Sequence, residues 1–149
     1  MYKVIQLTNT AVGAVEPNAF LPLGAITRRY GCRCNDNCNT FEVTTTGSNT
    51  IIINEEGYYR LIYTGSLTAG AVGDIILDLL VNGIEVLSVA QTATAVGDTE
   101  NITLSFVLRV LPNCASVINN SPAIVQIRLD ETSVALTGGT SNIIIEKVK

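Results

Sequence analysis

Along much of this chain apolar and polar residues alternate one for one. In 101–110, Ile102, Leu104, Phe106, Leu108 and Val110 occupy one phase, opposite Asn101, Thr103, Ser105 and Arg109. Successive side chains of a strand point to opposite faces, so this pattern predicts a strand with one buried face. The segment 57–67 repeats it, with Tyr59, Leu61, Tyr63 and Leu67 on the expected core face and Arg60, Thr64 and Ser66 on the other. Similar β-branched and aromatic runs recur throughout, divided by clusters of Gly, Asn, Asp, Thr and Pro. No long segment keeps a helical period of 3.6. Strands are expected at 2–8, 20–27, 41–46, 50–54, 58–67, 74–81, 84–91, 101–111, 114–119, 123–129, 132–137 and 142–148.

Two local features sharpen this. The apolar runs Ile75–Val81 and Ile84–Leu87 are joined by Asn82-Gly83, the dipeptide that best tolerates positive φ at both positions of a tight turn, so a hairpin is expected there. The closing run Ile143-Ile144-Ile145 is apolar on both phases, which suits a strand in the middle of a sheet or at a subunit interface. Asp78 interrupts an apolar run, and alternation turns it away from Leu77 and Leu79, toward the outside. There is no internal repeat, heptad pattern or linker. Residues 1–149 are therefore expected to form a single all-β domain, long enough for a substantial core.

Composition adds a constraint. Hydrophobic residues make up 47% of the chain and charged residues 15%, against a usual charged share of about 25%. Mean hydropathy is +0.36, yet no apolar run approaches the roughly 18 residues of a membrane span, so no membrane partner is expected. Contacts between subunits account better for the surplus, because part of such a chain's exterior is never wetted. The net charge is −4. Apart from Arg28-Arg29 the cations are scattered, which excludes a surface for nucleic acid. The opening Met1-Tyr2-Lys3-Val4-Ile5 lacks the pattern of a secretory signal, so synthesis and folding in a cytosol are expected, with release by lysis as a route outside.

The order of features is more specific than all-β. Ile51-Ile52-Ile53-Asn54 precedes an acidic turn, then Gly57-Tyr58-Tyr59-Arg60-Leu61, then the Asn82-Gly83 hairpin, then Thr137-Gly138-Gly139-Thr140 and a closing Ile-rich strand ending in Lys147-Val148-Lys149. This resembles the tumour necrosis factor and complement globular-head jelly roll, as found in bacterial collagen-like surface proteins and phage virion proteins. The resemblance covers about residues 41–149. Residues 1–40 fit less well, although Pro17-Asn18-Ala19-Phe20-Leu21-Pro22-Leu23 resembles the segment before the first inner strand, and they are read as an N-terminal arm and docking segment. The resemblance implies an antiparallel jelly-roll sandwich and a homotrimer, with Tyr59, Tyr63, Phe106, or Ile143 and Ile145 of the closing strand, as candidates for the core or the threefold interface.

Candidate chemistry is sparse. The chain has no histidine, which removes the commonest general base and every Ser-His-Asp or Cys-His arrangement. No serine sits in a nucleophile elbow and no glycine cluster matches a phosphate loop. Catalysis would have to rest on carboxylates alone. Glu55, Glu56, Asp74, Asp98, Asp130 and Glu131 fall at expected turns, where a solvated role is the ordinary one. No catalytic residue and no cofactor are expected.

Cysteine is the exception, with Cys32, Cys34 and Cys38 inside seven residues and Cys114 alone after Pro112-Asn113. Four thiolates suit tetrahedral zinc, but the Cys-x-Cys-x-x-x-Cys spacing lacks the usual two-residue knuckle. A disulfide from Cys114 to one loop cysteine, within or between subunits, and free thiols are the other readings. Asn101-Ile102-Thr103 and Asn119-Asn120-Ser121 match the glycosylation sequon by chance in a chain without a secretory signal. Asn35-Asp36-Asn37 offers oxygen ligands for calcium but is what a plain turn favours.

These readings converge on a structural virion protein of a bacteriophage or prophage. It would be an auxiliary capsid, decoration or head-fibre component that works by trimeric binding to capsid or other virion proteins and displays a surface to a host ligand. The alternative is a bacterial cell-surface or spore-coat module that recognises a protein or glycan, and a carboxylate-dependent glycosidase stands third.

Overall fold

Ten strands form, at Lys3–Asn9 (β1), Ala25–Tyr30 (β2), Phe41–Val43 (β3), Ile51–Ile53 (β4), Gly57–Ala69 (β5), Gly73–Val81 (β6), Ile84–Ala93 (β7), Thr99–Val110 (β8), Ala123–Leu129 (β9) and Leu136–Lys147 (β10). The computed structural model describes residues 3–31, 40–44, 48–112 and 122–149. The strands make two five-stranded antiparallel sheets, ordered β2-β1-β10-β5-β8 and β3-β4-β9-β6-β7. The resulting architecture is the jelly-roll sandwich.

Alternation places the core between the sheets. Tyr59, Tyr63 and Leu67 of β5 are fully buried, as are Ile5 and Leu7 of β1, Ile145 of β10, and Ile75, Leu77 and Leu79 of β6. Burying each such side chain contributes about 1.5–3 kcal/mol before entropy is counted. The Phe41 and Tyr59 rings meet edge to face at 5.8 Å, a favoured aromatic geometry. The closing strand lies between β1 and β5, in the middle of the first sheet, as its two apolar phases predict.

The hairpin forms at Asn82-Gly83, both with positive φ (51° and 80°). It is tied to β9: Asn82 N–H donates to the Ile124 carbonyl at 2.8 Å, and Asn82 Oδ1 accepts from Ile124 N–H at 2.7 Å.

Three expectations are corrected. The strand expected at 20–27 straddles a crossing between sheets. Leu21 N–H bonds to Ile127 O in the second sheet, whereas Ala25 pairs with Thr8 in the first. Gly24 makes the crossing at φ 92°, where a Cβ would lie 2.2 Å from Thr8 O. No strand forms over 132–135, because the Asp130 carboxylate captures Thr132 N–H at 2.9 Å and Thr132 Oγ1–H at 2.6 Å. That local bond holds a turn against the β propensity of the segment. Residues 3–31 are part of the sandwich rather than an arm, with β1 paired to β10 and Leu21 and Leu23 fully buried. The strand expected at 114–119 lies outside the described residues.

Candidate functional site

The surface that most asks for a partner lies at the edge of the first sheet. β8 pairs with β5 in unbroken register over twelve residues, from Gly57↔Val110 to Thr68↔Thr99. Among the described residues no strand pairs with its other edge. Natural edge strands are blunted by proline, lysine, a bulge or shortness. β8 is long, has neither proline nor lysine, shows no register shift, and carries charge only at Glu100 and Arg109. Val107 on this strand is 61% exposed, and Phe106 packs only part of its ring against the core. β7, the edge of the second sheet, runs along the same side.

The outer face of the first sheet continues this character. Ile62 pairs with Ile144 across β5 and β10, with Gln6 and Ser105 in the same row. The next row is Thr8, Asn142, Thr64 and Thr103. Asn142 Oδ1 accepts from Gln6 Nε2 at 2.8 Å and from Thr8 Oγ1 at 3.1 Å. The charges on this face are Arg28, Arg109 and the ion pair Arg60–Glu146. An uncharged recess of about 460 Å³ crosses it between two rows of Thr, Ser and Asn side chains.

Two charged clusters lock the sandwich. At one end Glu55 receives Lys3 Nζ and Lys147 Nζ, and Thr40 Oγ1 at 2.9 Å. Burial pushes the Glu55 carboxyl up, but these donors outweigh it and hold its pKa down at about 2. Tyr59 Oη donates to Glu55 O at 2.7 Å, and burial raises the Tyr59 phenol well above its ordinary value.

On the outer side of the second sheet, Asp78 is fully buried. Alternation places it outward as expected, but it is not solvated: it accepts from Ser88 Oγ and Arg128 Nη2, each at 2.9 Å. The bond to Asp78 holds the Arg128 pKa above its usual value. Asp130, whose carboxyl is lowered to about 2 first by the Thr132 hydroxyl, and Glu85 bring ligand oxygens within 4.8 Å of Asp78 and of each other. The guanidinium already supplies positive charge to this group. Neither cluster was legible in the sequence, since the side chains that bond to the Asp78 and Glu55 carboxylates stand 10 to 92 positions from them and only the register aligns them.

Of the residues singled out from the sequence, Tyr59, Tyr63, Ile143 and Ile145 all point between the sheets and are at most 1% exposed. They belong to the core of the single chain. Phe106 alone of that group meets the surface, at the β8 edge. Cys32, Cys34, Cys38 and Cys114 lie outside the described residues. Among the described residues no helix is long and apolar enough to cross a membrane.

No family model and no curated sequence matches the chain. Solved structures do match in fold. The globular domain of zebrafish complement 1qA superimposes with a TM-score of 0.65 at 9% identity, covering 100% of this chain and 98% of the other. Murine APRIL gives 0.64 at 11% identity, covering 99% and 100%. The vertex protein P5 of PRD1 gives 0.60 at 15% identity, covering 99% and 97%. The chain thus has the tumour necrosis factor and complement globular-head jelly roll over its full length.

Proposed function

We propose that this chain is a trimeric module that acts by binding rather than turnover, serving as an auxiliary capsid, decoration or head-fibre component of a bacteriophage or prophage virion. The observation that carries self-association is the unprotected β8 edge with Val107 exposed beside a charge-poor outer face. An open twelve-residue edge is a template for other chains unless a defined neighbour covers it. In a trimer the contact is head to tail, so the β8 edge of each chain would meet a different surface of the next and the ring would close. The likeness to a phage vertex protein supports the virion role. Light scattering is expected to give three times the 15.8 kDa chain mass, and Val107→Asp to give a folded monomer. A wild-type monomer would refute the trimer, and absence of the protein from purified particles would refute the virion role.

One observation favours the surface-recognition alternative. Tyr58, 39% exposed, lies under the Arg109 guanidinium at 5.5 Å. Both line a recess of about 520 Å³ with Glu56 and Lys149. An aromatic face beside hydrogen-bonding charges suits a sugar ring, and a glycan array tests it.

A further inference from the structure

The tripeptide Ala-Val-Gly occurs three times, at 11–13, 71–73 and 95–97. The fold brings all three to one end of the sandwich. Val12 N–H bonds to Gly139 O, Gly70 N–H to Ala135 O, Gly97 N–H to Ala69 O, and Ala69 N–H to Asp98 O, at 2.8–2.9 Å. Val12 turns inward and is 5% exposed, whereas Val72 and Val96 stand at the tips of their loops, 64% and 69% exposed. The Val96 loop is fixed by its own bonds. Asp98 accepts from Ala95 N–H at 2.9 Å and from both Thr94 N–H and Oγ1–H, and Gly97 closes the loop at φ 88°. The Val96 side chain is thereby presented to water at the tip of a fixed loop, and the Val72 loop is anchored at Gly70 through Ala135 O. Such preorganisation removes part of the entropy lost on binding.

The charge around these tips has one sign. The segments 10–19, 68–74, 92–100 and 130–140 contain Glu16, Asp74, Asp98, Glu100, Asp130 and Glu131 and no lysine or arginine. The nearest cation in the adjoining strand, Arg128, is bound to buried Asp78. Lys3, Arg109, Lys147 and Lys149 lie toward the opposite end, around Glu55 and Gly57. A carboxylate-rimmed apolar tip complements a cationic rim around an apolar recess, and charge of one sign also steers such a partner during encounter.

We infer that the Ala-Val-Gly end is the docking end of the molecule and takes a protein partner whose contact patch is basic around an apolar centre. This rests on the reading of the chain as a binding module and specifies which end binds. The test uses the intact, isotope-labelled chain and a synthetic peptide of alternating lysine and leucine, with lysine–serine and glutamate–leucine peptides for comparison. Saturable binding of the lysine–leucine peptide is expected, with amide shifts confined to 70–73, 94–98 and 130–135. Val72→Ser with Val96→Ser, and separately Glu100→Gln with Glu131→Gln, are expected to weaken it at least ~5-fold, as loss of buried apolar contact and of complementary charge requires. Glu42→Gln and Ile124→Ser on the second sheet should leave it unchanged. Asp98 is left intact because it holds its loop.

Wild-type affinity in either double variant overturns the inference, as do shifts centred elsewhere or equal binding of the lysine–serine or glutamate–leucine peptide. Concentration-dependent stacking of the protein abolished by the Val72/Val96 pair would assign this end to a second copy and also overturn it. Solution mass is read in parallel. A three-chain mass with no peptide binding defeats this inference alone, while a monomer with peptide binding defeats only the trimer.

Discussion

Asp78→Ala is expected to destabilise the fold by about 2–3 kcal/mol, less than the 3–5 kcal/mol usual when one member of a buried ion pair is removed. Asp78 is fully buried and bonds to Arg128 Nη2 and Ser88 Oγ at 2.9 Å. Its loss leaves the Ser88 hydroxyl and the guanidinium without that acceptor. Two features soften the loss. The Arg128 side chain is 27% exposed, and Asp130 and Glu85 remain close to the vacated position, so the guanidinium has other carboxylates to meet. The same features predict that Asp78→Leu with Arg128→Met is close to neutral, because both desolvation penalties and the crowding of three carboxylates disappear together. Urea unfolding at pH 7 and one fixed protein concentration provides the test, since the stability of an oligomer depends on concentration. The cycle should show a coupling of at least about 1 kcal/mol. Additive single effects would refute the view of this cluster as one mutually dependent unit.

The two core tyrosines should behave oppositely. Tyr63 Oη is buried and makes no well-formed hydrogen bond, and burial pushes its pKa up to about 12 against a weaker lowering by the nearby Ser141 hydroxyl, so Tyr63→Phe should be neutral or stabilising by up to ~1 kcal/mol. Tyr59→Phe should lose about 1–2 kcal/mol by orphaning the Glu55 carbonyl; reversed signs in thermal unfolding would contradict the assigned bonding. For Glu55 the folded pKa lies below the ordinary 4.5, so its contribution is complete above about pH 4.5 and fades as pH falls toward about 2. Glu55→Gln should therefore flatten the acid limb of the stability profile in that window, and an unchanged limb would exclude the Lys3–Glu55–Lys147 clamp as its source. Peptide mapping without reductant is expected to find Cys114 bonded to a loop cysteine, and a free Cys114 in mature particles would reject this.

What the sequence disclosed depended on how far apart the cooperating residues stand. Alternation works over two residues, so the inward faces of β5 and β8 and the Asn82-Gly83 turn were visible directly. The chain crossing at Gly24 was not. A run such as Phe20–Thr27 has β composition throughout, and only the close approach of Thr8 O to Gly24 divides it between two sheets. A turn was expected at Asp130 and Glu131, but its extension over 132–135 escaped for a related reason, because the bonds of Thr132 to the Asp130 carboxylate overrode a composition that favours a strand. Tyr59 and Tyr63 were placed on the correct face, but composition does not distinguish an inward face that meets the second sheet from one that meets a second chain.

The charge deficit gains force once the charges are located. Among the few charges the chain has, Lys3, Lys147 and Glu55 hold one another, Arg60 holds Glu146, and Arg128 holds Asp78. Asp98 and Asp130 are bound to the backbone of their own turns. These groups are already satisfied within the fold, which leaves the exterior poorer in unengaged charge than 15% suggests. The shortage is also uneven. The acidic loops keep charge at one end and the Glu55 cluster concentrates it at the other, while the flank of β8 and the Ile62–Ile144 face carries Arg28, Arg109 and the mutually engaged Arg60 and Glu146. On the proposed reading, a chain whose longest unpaired strand edge carries charge only at Glu100 and Arg109 leaves that flank to another copy, and the ends, with their exposed valines and tyrosine, remain for other partners.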